Sequence, residues 1–320
     1  MRPTQSNILH RRDFLTGAAG LTIAATLPSA TGAAGPSFPY SAGTERPRTA
    51  AFPGSVDCHM HFFDKRVATV PGAPVLHPDA FPADYRKIQE RIGTQRCVVV
   101  TPSAYGTNNQ VTLEGMAAIG PNARGVAVVD TSVSDDELQR LHKLSVRGVR
   151  FNLVQVGATT LDMAAPLAER LKQFGWHIQF NMPAEHMRDA EDVLAKLPVR
   201  IVFDHMGHIP QPAGPSDPSF AALRRLLDKG NTWVKLTGPY LDTKQGGPDY
   251  PDTSRVAREL ARLAPERVVW ATDWPNATEK TKPDDAALFD LLSVWVPDEA
   301  VRRRVLVQNP AELYDFPAVT

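Results

Sequence analysis

Ser55-Val56-Asp57-Cys58-His59-Met60-His61 is a short β-branched and apolar run that ends in two histidines two positions apart. On an extended strand such residues project to the same side, so the imidazoles of His59 and His61 act together when that side faces inward. The same alternation expects Cys58 to point the other way. Moving outward, similar runs recur at residues 96–102, 123–129, 148–152, 177–182, 200–205, 232–237 and 267–272. Amphipathic stretches such as 135–144, 163–174 and 220–228 lie between them. β-branched runs alternating with helical-period segments specify repeated strand–helix units on a parallel sheet, and eight of them predict a single-domain (β/α)8 TIM barrel. A doubly wound sheet is the rival, but it would carry a glycine-rich phosphate loop where this chain carries His-x-His. Two closing helices are expected at 284–295 and 298–308, each starting beside an Asp that suits an N-cap.

The 320-residue chain is 42% hydrophobic and 22% charged with a formal net charge of zero, an ordinary globular composition. Nucleic acid and anionic membranes usually need a basic patch, and Lys and Arg are evenly spread here, so the expected partner is a small molecule. Two cysteines, Cys58 and Cys97, rule out a disulfide framework and are expected as buried thiols. At the N-terminus, His10-Arg11-Arg12-Asp13-Phe14-Leu15 precedes a modestly apolar run over 17–27, with small residues at Thr31-Gly32-Ala33. That pattern resembles a twin-arginine export signal, and the run is shorter than the roughly twenty residues of a membrane span. The expected organisation is a signal peptide over 1–33, a flexible linker over 34–54, the barrel over 55–316 and a tail over 317–320, with a periplasmic or secreted destination, no membrane anchor and a homo-oligomer permitted.

In such a barrel the site is built at the C-terminal ends of the strands. Seven of the eight runs end there in polar residues: His59 and His61, Ser103, Arg150 and Asn152, Asn181, Asp204 and His205, Lys235 and Thr237, and Asp273. His59, His61, His205 and Asp273 are the candidate catalytic groups, and the same four N and O donors suit one divalent metal, Zn2+ above others, or polarise a carbonyl without one. Asp273, followed by Trp274-Pro275, is the candidate general base for a water molecule. Arg150 projects a guanidinium that a substrate carboxylate would balance. Ser103, Asn152, Asn181, Asn109 and His208 are candidate substrate contacts. Lys235 is expected inward in an ion pair on the barrel floor, His177 at the bottom face as a structural group, and His142 and His186 on solvated helices.

Four ordered segments, Val56-Asp-Cys-His-Met-His61, Arg147-Gly-Val-Arg-Phe-Asn152, Phe203-Asp-His-Met-Gly207 and Ala271-Thr-Asp-Trp-Pro275, resemble the amidohydrolase-related (amidohydrolase 2) family, across residues 56–316. The resemblance implies a barrel enzyme that opens or rearranges lactones of small acidic compounds. It places water activation on Asp273, the carbonyl grip on His59, His61 and His205, and carboxylate binding on Arg150 with Ser103 nearby. Members acting on a dicarboxylate carry a tyrosine where this chain has Asn181 and an arginine where it has His208, which implies a substrate with fewer carboxylates. Lactone hydrolysis is the leading expectation. Lactone isomerisation, metal-dependent decarboxylation and a non-catalytic periplasmic binding protein are the alternatives.

Overall fold

The computed structural model describes residues 37–73, 77–155 and 157–319. Eight strands, β1 (Val56–Met60), β2 (Arg96–Val100), β3 (Ala123–Ala127), β4 (Val146–Asn152), β5 (His177–Asn181), β6 (Ile201–Phe203), β7 (Thr232–Leu236) and β8 (Val268–Trp270), form one parallel sheet in sequence order. The sheet meets itself: Met60 pairs in parallel with Trp274, the His61 amide donates to the Trp274 carbonyl at 2.8 Å, and the Asp273 amide donates to the His59 carbonyl at 2.9 Å. Closure therefore happens at the motif-bearing ends of β1 and β8, which sets Asp273 beside His59 and His61.

Helices cover the outside, and their starts follow local chemistry. Pro218–Asp228 begins with Pro at its first position and the Asp217 carboxylate accepting from the Ser219 amide; Asp284 caps Asp285–Trp295 and Asp298 caps Glu299–Arg303. Each such cap contributes on the order of 1 kcal/mol. The expected helix at 298–308 is divided, its second half Arg304–Gln308 taking π geometry.

Strand alternation sorts the core into two clusters. Outward residues such as Val99, Phe151, Phe180, Phe203 and Trp270 pack under the helices, while inward ones such as Val98, Val100, Val126, Val202 and Trp233 fill the barrel above Leu313, Tyr314 and Phe316. Cys58 belongs to the inner cluster, contrary to the alternation expected of it. The cause is a bulge: Asp57 pairs with Cys97 and Met60 with Val99, so three steps on β1 oppose two on β2. The extra residue turns both Cys58 and His59 inward and leaves Asp57 outward, where Tyr85 and Thr272 donate to its carboxylate.

The stretch expected as a flexible linker is a packed arm over its described part. Phe38, Tyr40, Ala51 and Phe52 lie against the outer core, and the Trp274 indole donates to the Pro39 carbonyl at 2.8 Å. The arm is clamped by Arg91, whose buried guanidinium donates to Glu45 O, Ala42 O and Asp284. The expected signal peptide over 1–33 lies outside the described residues. No described helix is long and apolar enough to cross a membrane.

Candidate active site

Each strand end brings one piece of the site. From β1, His59 Nε2 and His61 Nε2 stand 3.2 Å apart. From the exit of β8, Asp273 Oδ1 is 3.4 Å from His61 Nε2 and 3.7 Å from His59 Nε2. Asp273 takes a left-handed φ of 63°, and β6 exits through His205, Met206 and His208 at 48°, 54° and 50°. Left-handed backbone at non-glycine residues costs on the order of 1 kcal/mol or more each and persists where surrounding contacts over-determine it. His205 packs its ring over Gly238, where an added Cβ would fall 2.7 Å from Nδ1, so glycine is required at that close approach.

Beneath the histidines lies a fully buried charge cluster. Asp204 Oδ1 is 3.2 Å from His59 Nδ1 and 3.4 Å from Lys235 Nζ, and Oδ2 accepts from Gln179 at 2.9 Å and faces Arg150 Nε at 3.6 Å. Burial alone would push the Asp204 carboxyl up; Lys235, His59 and Arg150 outweigh it and hold the group well below the usual carboxylate range. His59 is pushed well down by burial and then by Lys235, and His205 is pushed down to about 4 chiefly by burial, so both rings are neutral at pH 7. Burial also opposes ionisation of Asp273, but His205, His61 and His59 outweigh it and keep this carboxyl far below its ordinary value.

Hydrogen-bond accounting decides what the first cluster can hold. His61 Nδ1 lies 2.7 Å from the Val100 carbonyl and so carries a hydrogen there. Lys235 donates to Gln179 Oε1 at 2.6 Å and stands 3.2 Å from His59 Nδ1, which also faces Asp204 Oδ1 at 3.2 Å, so His59 Nδ1 has two states open to it, accepting from the ammonium or donating to the carboxylate. When Nδ1 accepts, His59 Nε2 donates to His61 Nε2; when Nδ1 donates to Asp204, both Nε2 lone pairs face each other and the Asp273 carboxylate with no donor among them. That second state fits a cation: bonds of about 2.0–2.1 Å in a tetrahedral zinc site separate ligand atoms by roughly 3.3–3.4 Å, close to the distances here. Among the described residues, His59, His61 and Asp273 form one ligating group; His205 falls in another with His59 and Asp204, whose carboxylate already faces Lys235 and Arg150. The expected set of four thus resolves into a donor-fit set of three, with His205 beside it and its Nδ1 buried without a partner.

His61, His205 and Asp273 open into a cavity of about 140 Å3 lined also by Phe63, Ser103, Arg150, Asn152, Asn181 and His208. The expected substrate contacts form an arc at its mouth. Asn152 Nδ2 donates to Ser103 Oγ, Asn181 Nδ2 to Asn152 Oδ1 at 3.1 Å, and His208 bridges Asn181 Oδ1 at 2.7 Å and Asp242 Oδ2 at 3.0 Å. Asn109 is a correction: its amide is spent on the Val128 amide, the Val128 carbonyl and the Thr101 hydroxyl, which ties the β2 and β3 exits together away from the cavity. Lys235 and His177 sit where expected, but His142 accepts from the Trp176 indole at 3.0 Å instead of standing free in solvent. Three contributors had no early mark as site groups. Gln179 is inward by its two-residue spacing from Asn181; Tyr240, 3.0 Å from Asp273 Oδ2, and Asp242 lie in the single helical turn Pro239–Asp242 after β7, too short to show a period.

Three comparisons bear on this arrangement. The family model described as amidohydrolase matches residues 56–316. The D-galactarolactone isomerase of Agrobacterium fabrum is 34% identical over 84% of this chain and 94% of its own length, and the 2-pyrone-4,6-dicarboxylate hydrolase of Comamonas testosteroni is 33% identical over 86% and 94%. A crystal structure of an Agrobacterium tumefaciens protein superposes with a TM-score of 0.80 at 33% identity, covering 85% of this chain and all of that one. With eight parallel strands, the paired β1 histidines and the β8 aspartate in their expected places, the chain belongs to the amidohydrolase family.

Proposed function

We propose that this protein is a hydrolase that opens the ring of a small acidic lactone by attack of water on the carbonyl carbon. The observation that carries the reading is Asp273, buried, ionised and held beside three imidazoles, facing a cavity that also contains the Arg150 guanidinium. The named relatives act on a lactone and on a pyrone dicarboxylate, which supports a cyclic ester with an acidic substituent.

In this reading Asp273 accepts the proton of the attacking water. Its Oδ2 is oriented by the Tyr240 hydroxyl, whose own ionisation is strongly opposed by burial, so tyrosine stays a donor. A divalent ion held by His59, His61 and Asp273 would supply Lewis-acid polarisation of the carbonyl and acidify water there. His205 contributes a neutral ring with a spare nitrogen for the carbonyl oxygen, and Arg150 orients the acidic substituent. Asp204 and Lys235 hold the His59 ring from below, each 3.2 Å from Nδ1.

A pH-indicator assay over a lactone panel tests this. Asp273→Asn is expected to lower kcat by about 10²–10⁴-fold, and turnover unchanged by it overturns the role of the carboxylate. The isomerase relative favours a second reading, rearrangement of the lactone; hydrolysis releases one acid per turnover and isomerisation none, so the same assay separates them. We further place the mature chain in the periplasm or outside the cell, on the 10–33 pattern alone; a chain lacking residues 1–33 is expected to stay soluble and active in the cytoplasm.

A further inference from the structure

Asp273 lies near the start of the loop 271–284, which joins β8 to the helix Asp285–Trp295 and lends Ala277 and Thr278 to the cavity wall. Its left-handed backbone sits between two anchors. On one side the buried Asp57 carboxylate accepts from the Thr272 amide at 3.0 Å and the Thr272 hydroxyl at 2.6 Å. On the other the Trp274 indole donates to the Pro39 carbonyl of the N-terminal arm at 2.8 Å, with the Tyr40 ring 5.9 Å from that of Trp274. The arm also grips the far end of the loop: the Ala42 amide donates to the Pro283 carbonyl at 2.9 Å, and Ser41 Oγ accepts from the Asp285 amide at 3.1 Å. Arg91 ties this grip together, donating to Ser41 and Ala42 and pairing with Asp284 at 2.7 Å. Gly43 permits the approach, since its φ is 71° and an added Cβ would run into the Asp284 carboxylate.

We propose that this arm is a positioning element of the active site: Pro39, Ser41 and Ala42 hold the loop from outside and so keep the Asp273 carboxylate aimed at His61 and His59. The proposal rests on the role given to Asp273 above. A left-handed aspartate relaxes toward ordinary backbone unless its neighbours hold it. Closure of the barrel fixes the Trp274 carbonyl, whereas the hydrogen bond of its indole and the backbone ties at Pro283 and Asp285 are made by the arm. The far end is coupled back to the reacting group. Lys282 Nζ donates to the Asn276 carbonyl at 2.7 Å, and the Asn276 amide donates to the Asp273 carbonyl at 2.7 Å. The Tyr240 hydroxyl lies between Asn276 Oδ1 and Asp273 Oδ2, at 2.7 and 3.0 Å. A shift at 283–285 therefore reaches the carboxylate through Lys282 and Asn276. Misplacing a reacting group by about 1 Å costs up to about a hundredfold in rate, so a loosened arm lowers kcat while Arg150, on the far wall of the cavity, still holds the substrate.

The test uses the full chain with two substitutions that loosen the arm from different points. Gly43→Ala drives it off Asp284, and Trp274→Phe keeps an aromatic ring while removing the donor to Pro39. Hydrogen exchange is read at the amides of Asp273, Asn276 and Glu279, which are bonded within the loop or to His59, and at the Leu153 amide, bonded to Asn181 on the opposite wall of the barrel. Exchange in the loop is expected to rise at least about tenfold in both variants with Leu153 unchanged. On whichever lactone the wild type turns over, kcat should fall by about ten- to a hundredfold and KM move less than about threefold. Unaltered loop exchange in both variants, an equal rise at Leu153, or a loosened loop with unchanged kcat overturns the positioning role; the second of these makes the arm a source of general stability alone. A wild type inert toward every lactone removes the ester reading instead, and the exchange measurement still decides whether the arm holds the loop.

Discussion

Asp204→Asn isolates the charge cluster under the site. Asp204 and Lys235 are both fully buried, and Arg150 is 5% exposed. Removing the carboxylate charge leaves two buried cations whose nearest anion, 3.4 and 3.6 Å away, is gone. Breaking a buried pair from one side costs about 3–5 kcal/mol, because the remaining charge is desolvated without compensation. At roughly 2–3 °C per kcal/mol for a domain of this size, the melting temperature should fall by about 10 °C. The loss has a direction in pH: Asp204 is depressed in the folded state, so its contribution is complete above the unfolded value of about 4 and is lost only as pH falls below that. The difference between wild type and Asp204→Asn should therefore be flat from pH 5 to 8. The assay is thermal unfolding of both proteins, of Lys235→Met and of the double variant. If the reasoning holds, the double variant is less destabilised than the sum of the singles by about 1–3 kcal/mol. Asp204→Asn melting within a degree or two of wild type, or strict additivity in the cycle, refutes the account.

Two further outcomes follow from buried groups elsewhere. Asp285 is fully buried, its Oδ2 has no partner among the described residues, and burial pushes its pKa up to about 7. Its folded value lies above the unfolded one, so wild-type stability is lost as pH rises from about 4 to 7; Asp285→Asn should gain about 2–3 kcal/mol on wild type between pH 5 and 8 in urea melts, and a pH-independent difference contradicts this. At Gly148, an added Cβ would fall 2.4 Å from Cε1 of the buried His177 ring. Gly148→Ala is expected to destabilise by about 1–3 kcal/mol in the same melts, and an unchanged midpoint would show that the ring yields freely.

The barrel was legible because its evidence is local. Alternating β-branched runs and amphipathic stretches report which side of each segment is buried, and the polar residue ending each run falls on the face where such barrels build sites. That reasoning located His59, His61, His205, Arg150, Asn152, Asn181 and Asp273. It placed the Cys58 side chain on the wrong face, because a bulge is an event between two strands: nothing in residues 55–61 states that β2 takes two steps where β1 takes three. Asn109 has the composition of a binding residue and the position of a scaffold. Only the meeting of the β2 and β3 exits decides between them.

By itself, then, the sequence determined the strand count, the face that carries chemistry and the residue types gathered there, since these depend on period and strand ends. Tertiary structure decided which of them touch. The closing bond from β8 to β1 brings His59, His61 and Asp273 within ligating distance of one another, while the short helical turn after β7, without period or strand end, brings Tyr240 to Asp273 and Asp242 to His208. Such contacts arise between segments far apart in the chain, and their geometry exists only once the barrel has closed.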